Sequence, residues 1–254
     1  MEALALLPDG LGLVPAAILV FASFFTSALT ASFGIGGGVS MLVLLGLFIP
    51  VAALIPVHGV IQLGSNTGRA WHQRENIRYD IARPFVIGSL LGAAIGAWFV
   101  VQLPDAVLKV VLGLFVLVVT WSKIPGVAQL GHAGLTIGST LVALAGMFVG
   151  ATGPLLAAVF AQIIPDDRKA VVATHAAGMT VQHGFKVLAF AAAGFAFFSW
   201  IPFLAAMILS GYLGTIYGTR LLHRLPEETF RRWFRIGLTI LAVDLLRRGL
   251  TGFF

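Results

Sequence analysis

Residues 34–50 read GIGGGVSMLVLLGLFIP, and residues 150–165 read GATGPLLAAVFAQIIP. Both follow one plan: a glycine-containing turn, a short apolar segment, and an Ile-Pro stop, Ile49-Pro50 in one case and Ile164-Pro165 in the other. The apolar segments, 37–49 and 153–164, are too short to cross a bilayer, which takes about 20 residues of helix. Short, Gly/Pro-interrupted segments at corresponding places in two halves are the sequence pointer to a transporter site. This pair therefore organises the reading of everything around it.

Working outward, longer apolar stretches cover 11–33, 51–71, 82–103 and 106–122, then 133–151, 169–192, 199–223 and 232–250. The 254-residue chain is 59% hydrophobic and 10% charged, with a mean hydropathy of +0.99. A soluble domain carries about 25% charged residues, so lipid must be the solvent for much of this surface. The runs are continuous rather than alternating, which points to helices and away from a β-barrel. The expected fold is all-α: a polytopic helical membrane protein with roughly eight to ten transmembrane segments, two of them short broken helices. One membrane domain is expected over 1–254. The net charge of +6 reads as membrane topology rather than nucleic-acid binding, because no basic cluster is interleaved with exposed aromatics. Cysteine is absent, which excludes disulfides and thiolate metal sites. The start, MEALALLPDG, is acidic and lacks the basic region of a signal peptide, so the first span is expected to be retained.

The two halves, about 11–124 and 132–250, align beyond the glycine turns. His58 and Arg69 match His175 and Lys186, both 117 positions on. Gly92 and Gly96 match Gly214 and Gly218, Leu103-Pro104-Asp105 matches Leu225-Pro226-Glu227, and Lys109 matches Arg231, all 122 positions on. GxxxG alone is common wherever membrane helices pack closely, but an ordered series of matches points to duplication.

The charges swap sides between the halves. Arg74, Arg78 and Arg83 fill the loop after the third segment, while the counterpart near Ala193–Ser199 holds no charge. Arg220, Arg224, Arg231, Arg232 and Arg235 fill a region whose first-half counterpart has little positive charge. The turn at Pro50 is uncharged, while Pro165 is followed by Arg168 and Lys169. Positive residues favour the cytoplasmic side, so the swap predicts inverted repeats of five passes each, with the short segments counted as passes. Arg74, Arg78, Arg83, Lys123, Arg168, Lys169 and the Arg220–Arg235 group then lie inside. Both termini lie outside, which suits Glu2 and Asp9 but not Arg247 and Arg248. A four-plus-four parallel duplication is the alternative, and it would divide the arginines between the two faces.

Two polar stripes are the candidate chemistry. His58, Gln62, Ser65, Asn66 and Arg69 fall on one face of a helix, and His175, Met179, Gln182, His183 and Lys186 repeat the same spacings. Polar groups at membrane depth are costly and face a cavity or a partner. Arg69 and Lys186 offer charge to an anion, while His58, Asn66, His175, Gln182 and His183 offer directional hydrogen bonds. The bland alternatives are headgroup snorkelling for the two cations and interhelical hydrogen bonds for the histidines. The turns add a second element: Gly36, Gly37 and Gly38, with Gly150, Thr152 and Gly153, precede helix starts whose unpaired N–H groups favour anions. Close helix packing is the alternative reading of those glycines.

Other residues carry less. Asp244 is expected to pair with Arg248, four residues on. Asp105 and Glu227 follow prolines at helix starts, where capping accounts for them. His72, His132 and His223 fall near predicted ends. No zinc motif, nucleophile elbow, Walker loop or paired-carboxylate site is present, so neither a cofactor nor enzymatic activity is expected.

The Gly34-Ile35-Gly36-Gly37-Gly38 turn after a first apolar span, the weaker echo at Gly150–Pro154 and the duplicated chain resemble the sulfite exporter TauE/SafE family, also called the sulfonate uptake permeases. The resemblance covers nearly the whole chain. It implies a bacterial cytoplasmic-membrane permease for small sulfur-containing anions such as sulfite, sulfoacetate or other organosulfonates. The usual family description has two four-helix repeats, which differs from the five-plus-five count above. Ala151-Thr152 interrupts the second turn, so the two turns need not contribute equally. Alternating access with a histidine linked to protons is the expected mechanism. An anion channel and a non-catalytic membrane partner protein are the rivals.

Overall fold

The computed structural model describes residues 7–8, 10–33, 36–100, 104–121, 131–150, 152–153, 156–157, 160, 163–164, 167–221, 236, 239–240, 242–244 and 246–252. Where the sequence is a continuous apolar run, the described backbone is helical, as hydrocarbon surroundings require. The helices are α1 (Leu13–Phe33), α2 (Gly37–Phe48), α3 (Val51–His72), α4 (Tyr79–Val100), α5 (Asp105–Trp121), α6 (His132–Val149), α7 (Arg168–Ala192) and α8 (Ile201–Leu221). Short 3-10 turns at Arg74–Asn76 and Phe197–Trp200 lie between α3 and α4 and between α7 and α8. The described residues contain no strand.

Helix α2 is as short as its sequence demands. Its 12 residues rise about 18 Å, against a hydrocarbon core of about 30 Å. It starts at Gly36, whose φ of 105° few other residues adopt, and stops where Ile49 turns extended before Pro50. In the second short segment Gly153, Leu156, Ala157, Phe160 and Ile163 are helical. Its ends are marked by Leu156 N–H donating to the Thr152 carbonyl (3.2 Å) and Ile164 N–H donating to that of Phe160 (2.8 Å). The rest of that segment, Lys123, His223 and Arg224–Arg235 lie outside the described residues; of the last span, Thr239–Ile240, Ala242–Asp244 and Leu246–Thr251 are helical.

One boundary differs from expectation. Arg83 lies inside α4, which begins at Tyr79 rather than near 82. The earlier start follows from Asp80 in the first turn, where an acid suits the positive helix end. The Arg78 N–H donates to the Thr174 hydroxyl (3.0 Å), which fixes the chain just before it.

Three helix pairs dominate the packing: α1 with α8, α4 with α6, and α3 with α7. Glycines set the first two. Gly88 lies against Thr136–Thr140, Gly92 against Thr140–Leu144 and Gly96 against Leu144–Met147, so α4 and α6 run parallel. Gly214 lies on the Phe24 carbonyl, and the Ser210 hydroxyl donates to the Val20 carbonyl (2.6 Å), so α8 also runs along α1 in the same sense. Small residues let backbones approach where lipid supplies no hydrophobic drive between helices. Leu19, Met41, Leu42, Leu45, Leu54, Val57, Phe203 and Met207 form one tight core; Phe85, Leu156, Phe160 and Met179 form another.

The outward surface is apolar. Phe21, Ile87, Leu141, Leu188, Leu209 and Ile240 are exposed, as lipid-facing residues are. Trp71, Tyr79, Trp98, Trp121 and Tyr217 are exposed near helix ends, the positions of an interfacial aromatic belt. Leu13–Ala31 and Phe197–Tyr217 are helical, apolar and long enough to cross a bilayer. Asp244 pairs with Arg248 as expected (2.7 Å) and also with Arg247 (2.8 Å).

Candidate functional site

The stripes on α3 and α7 meet. Gly59 lies against Lys186 and Val187, and Leu63 lies against Gly184, so the contacts run in opposite senses and the helices are antiparallel where they touch. The His58 and His183 rings stand edge to face, 5.8 Å between centroids. Each stripe's cation comes near the other stripe's histidine: Arg69 interacts electrostatically with His175, and Lys186 with His58.

Each stripe also holds a short helix at its start. His58 Nε2 lies 2.9 Å from the Gly38 carbonyl oxygen, and His175 Nε2 lies 3.0 Å from that of Gly153. A carbonyl only accepts, so both Nε2 atoms carry the proton and donate. Lys186 Nζ donates to the Gly150 carbonyl (2.8 Å), and Gln182 Nε2 donates to the Thr152 hydroxyl (3.1 Å). Gly150 has a φ of 83°, the same left-handed turn as Gly36. Arg69 is held within its own helix, by Asn66 Oδ1 (3.2 Å) and Ser65 Oγ (3.3 Å), and Asn66 Nδ2 donates back to the Gln62 carbonyl (2.8 Å).

Between these groups lies a cavity of about 30 Å³, room for roughly one water molecule. Gly36 and Gly38 line it from the start of α2, and His58 and Asn66 line it from α3. Gly153, His175 and His183 close the other side. Seven of the sequence-chosen residues thus converge on one space. The other six do not line it. Gly37 faces α1, where a side chain would strike the Thr26 carbonyl and the Thr30 hydroxyl. Thr152, Gln182, Gly150 and Lys186 bond one another in a layer behind, and Arg69 lies beyond Asn66.

Arg69 and Lys186 are buried, 2% and 1% exposed, so neither snorkels to the headgroups. Neither meets a carboxylate among the described residues. Several buried polar atoms there have no hydrogen-bond partner among the described residues: Nδ1 of His58, His175 and His183, Arg69 Nε and Gln182 Oε1. Orphaned polar atoms in a native interior call for a ligand, an ion or water. His72 and His132 are exposed near helix ends.

Thr30, Val39, Gln62 and Met179 also line the cavity and were not chosen from sequence as site residues. Gln62 and Met179 stand at matching positions of the two stripes, which was sufficient signal. Thr30 had one too: Ser23, Thr26, Ser27 and Thr30 follow helical spacing, and all four are buried. Their hydroxyls are used in helix packing, as when Ser23 donates to the Met207 carbonyl (2.7 Å).

Among the described residues, an all-helical fold with an apolar exterior and a buried polar cluster is that of a helical membrane protein. The chain belongs to the sulfite exporter TauE/SafE family, whose sequence profile matches residues 19–245. That is a transporter family, named for sulfite export. No curated protein and no solved structure was found to match the chain.

Proposed function

We propose that the protein is a multi-pass secondary carrier of a small sulfur oxyanion or sulfonate in the bacterial cytoplasmic membrane, built from two inverted repeats that alternate access to one central site. The observation that carries this reading is the antiparallel meeting of α3 and α7, with His58 on Gly38 and His175 on Gly153 in matching roles. Repeats related by an axis in the membrane plane would cross in this sense; a parallel duplication would not. The pairings α1 with α8 and α6 with α4 are further support, since each joins the first helix of one half to the helix after the stripe in the other.

The chemistry suits an anion. Gly36 and Gly38 at one helix start and Gly153 at the other line the cavity, and the unpaired N–H groups of helix starts favour anions. Arg69 and Lys186 stand behind them as buried cations with no acid to neutralise them among the described residues. A charge buried that way is costly unless a counter-charge visits. Rocking of the halves about the α3–α7 contact would open the small cavity to one side and then the other.

The test is uptake by purified protein in liposomes, comparing sulfite, sulfoacetate, sulfate and chloride with and without a pH gradient. Saturable movement of one sulfur anion at carrier turnover is the expected result. If folded protein moves none of them, the reading is rejected; chloride conductance far above carrier turnover would identify a channel instead.

A further inference from the structure

The carbonyls of Gly38 and Gly153 fix the tautomers of two histidines that line the cavity. With Nε2–H spent on a carbonyl, the Nδ1 of a neutral imidazole carries a lone pair and can only accept. Both Nδ1 atoms are buried and have no partner among the described residues. An anion's oxygens also carry lone pairs, so a bare oxyanion beside them would set acceptor against acceptor. Such a site is completed by a proton lying between the two. We propose that the site takes up its anion together with a proton, shared between a ligand oxygen and the Nδ1 of His58 or His175; this rests on the carrier reading above.

The surroundings leave the histidines as the place for that proton. His58 faces the Gly38 carbonyl of α2 and His183 and Lys186 of α7. His175 faces the Gly153 carbonyl and Arg69 of α3. None of these is a proton-accepting carboxylate. The described acids are engaged or placed elsewhere: Glu75 is in the exposed turn after α3, Asp80 pairs with Arg78, Asp105 begins α5, Asp167 caps α7, and Asp244 pairs with Arg247 and Arg248. The two cations make an added proton unfavourable in the absence of an anion and favourable in its presence, which is what ties the two together. The proton comes from water on the side where the anion enters and leaves with it on the other.

The experiment is calorimetric titration of the full-length purified protein with methanesulfonate and, separately, sulfite, in two buffers of different ionisation enthalpy. Methanesulfonate has no proton to bring, so any uptake with it resides on the protein; sulfite can carry its own. The expected result is uptake of about one proton per bound anion, and affinity that falls about tenfold per pH unit toward about pH 8. Uptake with both anions places the proton on the protein, and the double variant below decides whether His58 and His175 carry it. Binding and uptake with sulfite alone assign it to the ligand, lying against Nδ1. Equal heats in both buffers for an anion that binds would overturn the inference and leave the carrier standing. Binding of neither anion would remove both. In the double variant His58→Gln/His175→Gln, each amide nitrogen can still donate to its glycine carbonyl, but the Nδ1 atoms are gone. Proton uptake with methanesulfonate should disappear in it; undiminished uptake would overturn the inference.

Discussion

At Gly36 and at Gly150 the chain makes the same left-handed turn, φ 105° and 83°, yet the two turns are held by different means. The first is shaped by what is missing. Gly37 sits so close to α1 that a Cβ would land on the Thr26 carbonyl oxygen, and Gly38 leaves room for Gln62. The second is shaped by what is added. Lys186 holds the Gly150 carbonyl, Gln182 holds the Thr152 hydroxyl, and Thr152 stands where the first turn has glycine. In both, a histidine of the following stripe holds a carbonyl at the start of the short helix, that of Gly38 or of Gly153. One backbone shape is reached by close steric approach in one half and by side-chain hydrogen bonds in the other. The residues at the two turns can therefore differ while the backbone keeps its shape.

Substitutions separate the two means. The largest effect is expected at Gly37→Ala, where backbone must move to admit the methyl group: about 3 kcal/mol of lost stability, read as denaturant-induced unfolding in detergent. Next is Lys186→Met, which leaves the buried Gly150 carbonyl without its donor. It should cost about 1–3 kcal/mol and reduce anion uptake. Arg69→Met should reduce uptake similarly with a smaller stability loss, because among the described residues Arg69 bonds only side chains of its own helix. Equal stability losses for the two would break the contrast between the turns. Thr152→Val removes one hydroxyl from the second turn and should cost about 1 kcal/mol. Gly153→Ala should cost least within the turns, under about 1 kcal/mol, since its Cβ would meet only His175 and Met179 at ordinary distances of 3.6–3.8 Å. A Gly153→Ala protein as unstable as Gly37→Ala would show that both turns depend on steric approach. As a baseline outside both, Asp80→Asn breaks a pair that is half exposed on each side and should shift stability by no more than about 1 kcal/mol.

Much of this was legible in the chain. The length of α2, its glycine start and its Ile-Pro stop follow from residues 34–50, because a bilayer admits few ways to begin and end a helix. Seven of the thirteen chosen site residues line the cavity, because helical spacing alone puts His58 and Asn66, or His175 and His183, on one face. Thr30 was less visible, since the hydroxyl row Ser23, Thr26, Ser27 and Thr30 reads equally well as helix packing. The start of α4 was misjudged because Arg83 looks like loop, whereas Asp80 and the Thr174 contact bring the helix start forward to Tyr79.

The sequence by itself determined that the chain is helical and apolar outside, and which side chains share a face, because those follow from composition and from the 3.6-residue period. Only the tertiary structure decided how the faces meet. The contact of α3 with α7, the carbonyl that each histidine holds, and the bonds of Lys186 and Gln182 to Gly150 and Thr152 join residues 20 or more positions apart. Local periodicity carries no information about such pairs. They are set by which surfaces pack closely enough to satisfy buried polar atoms where no water can do so.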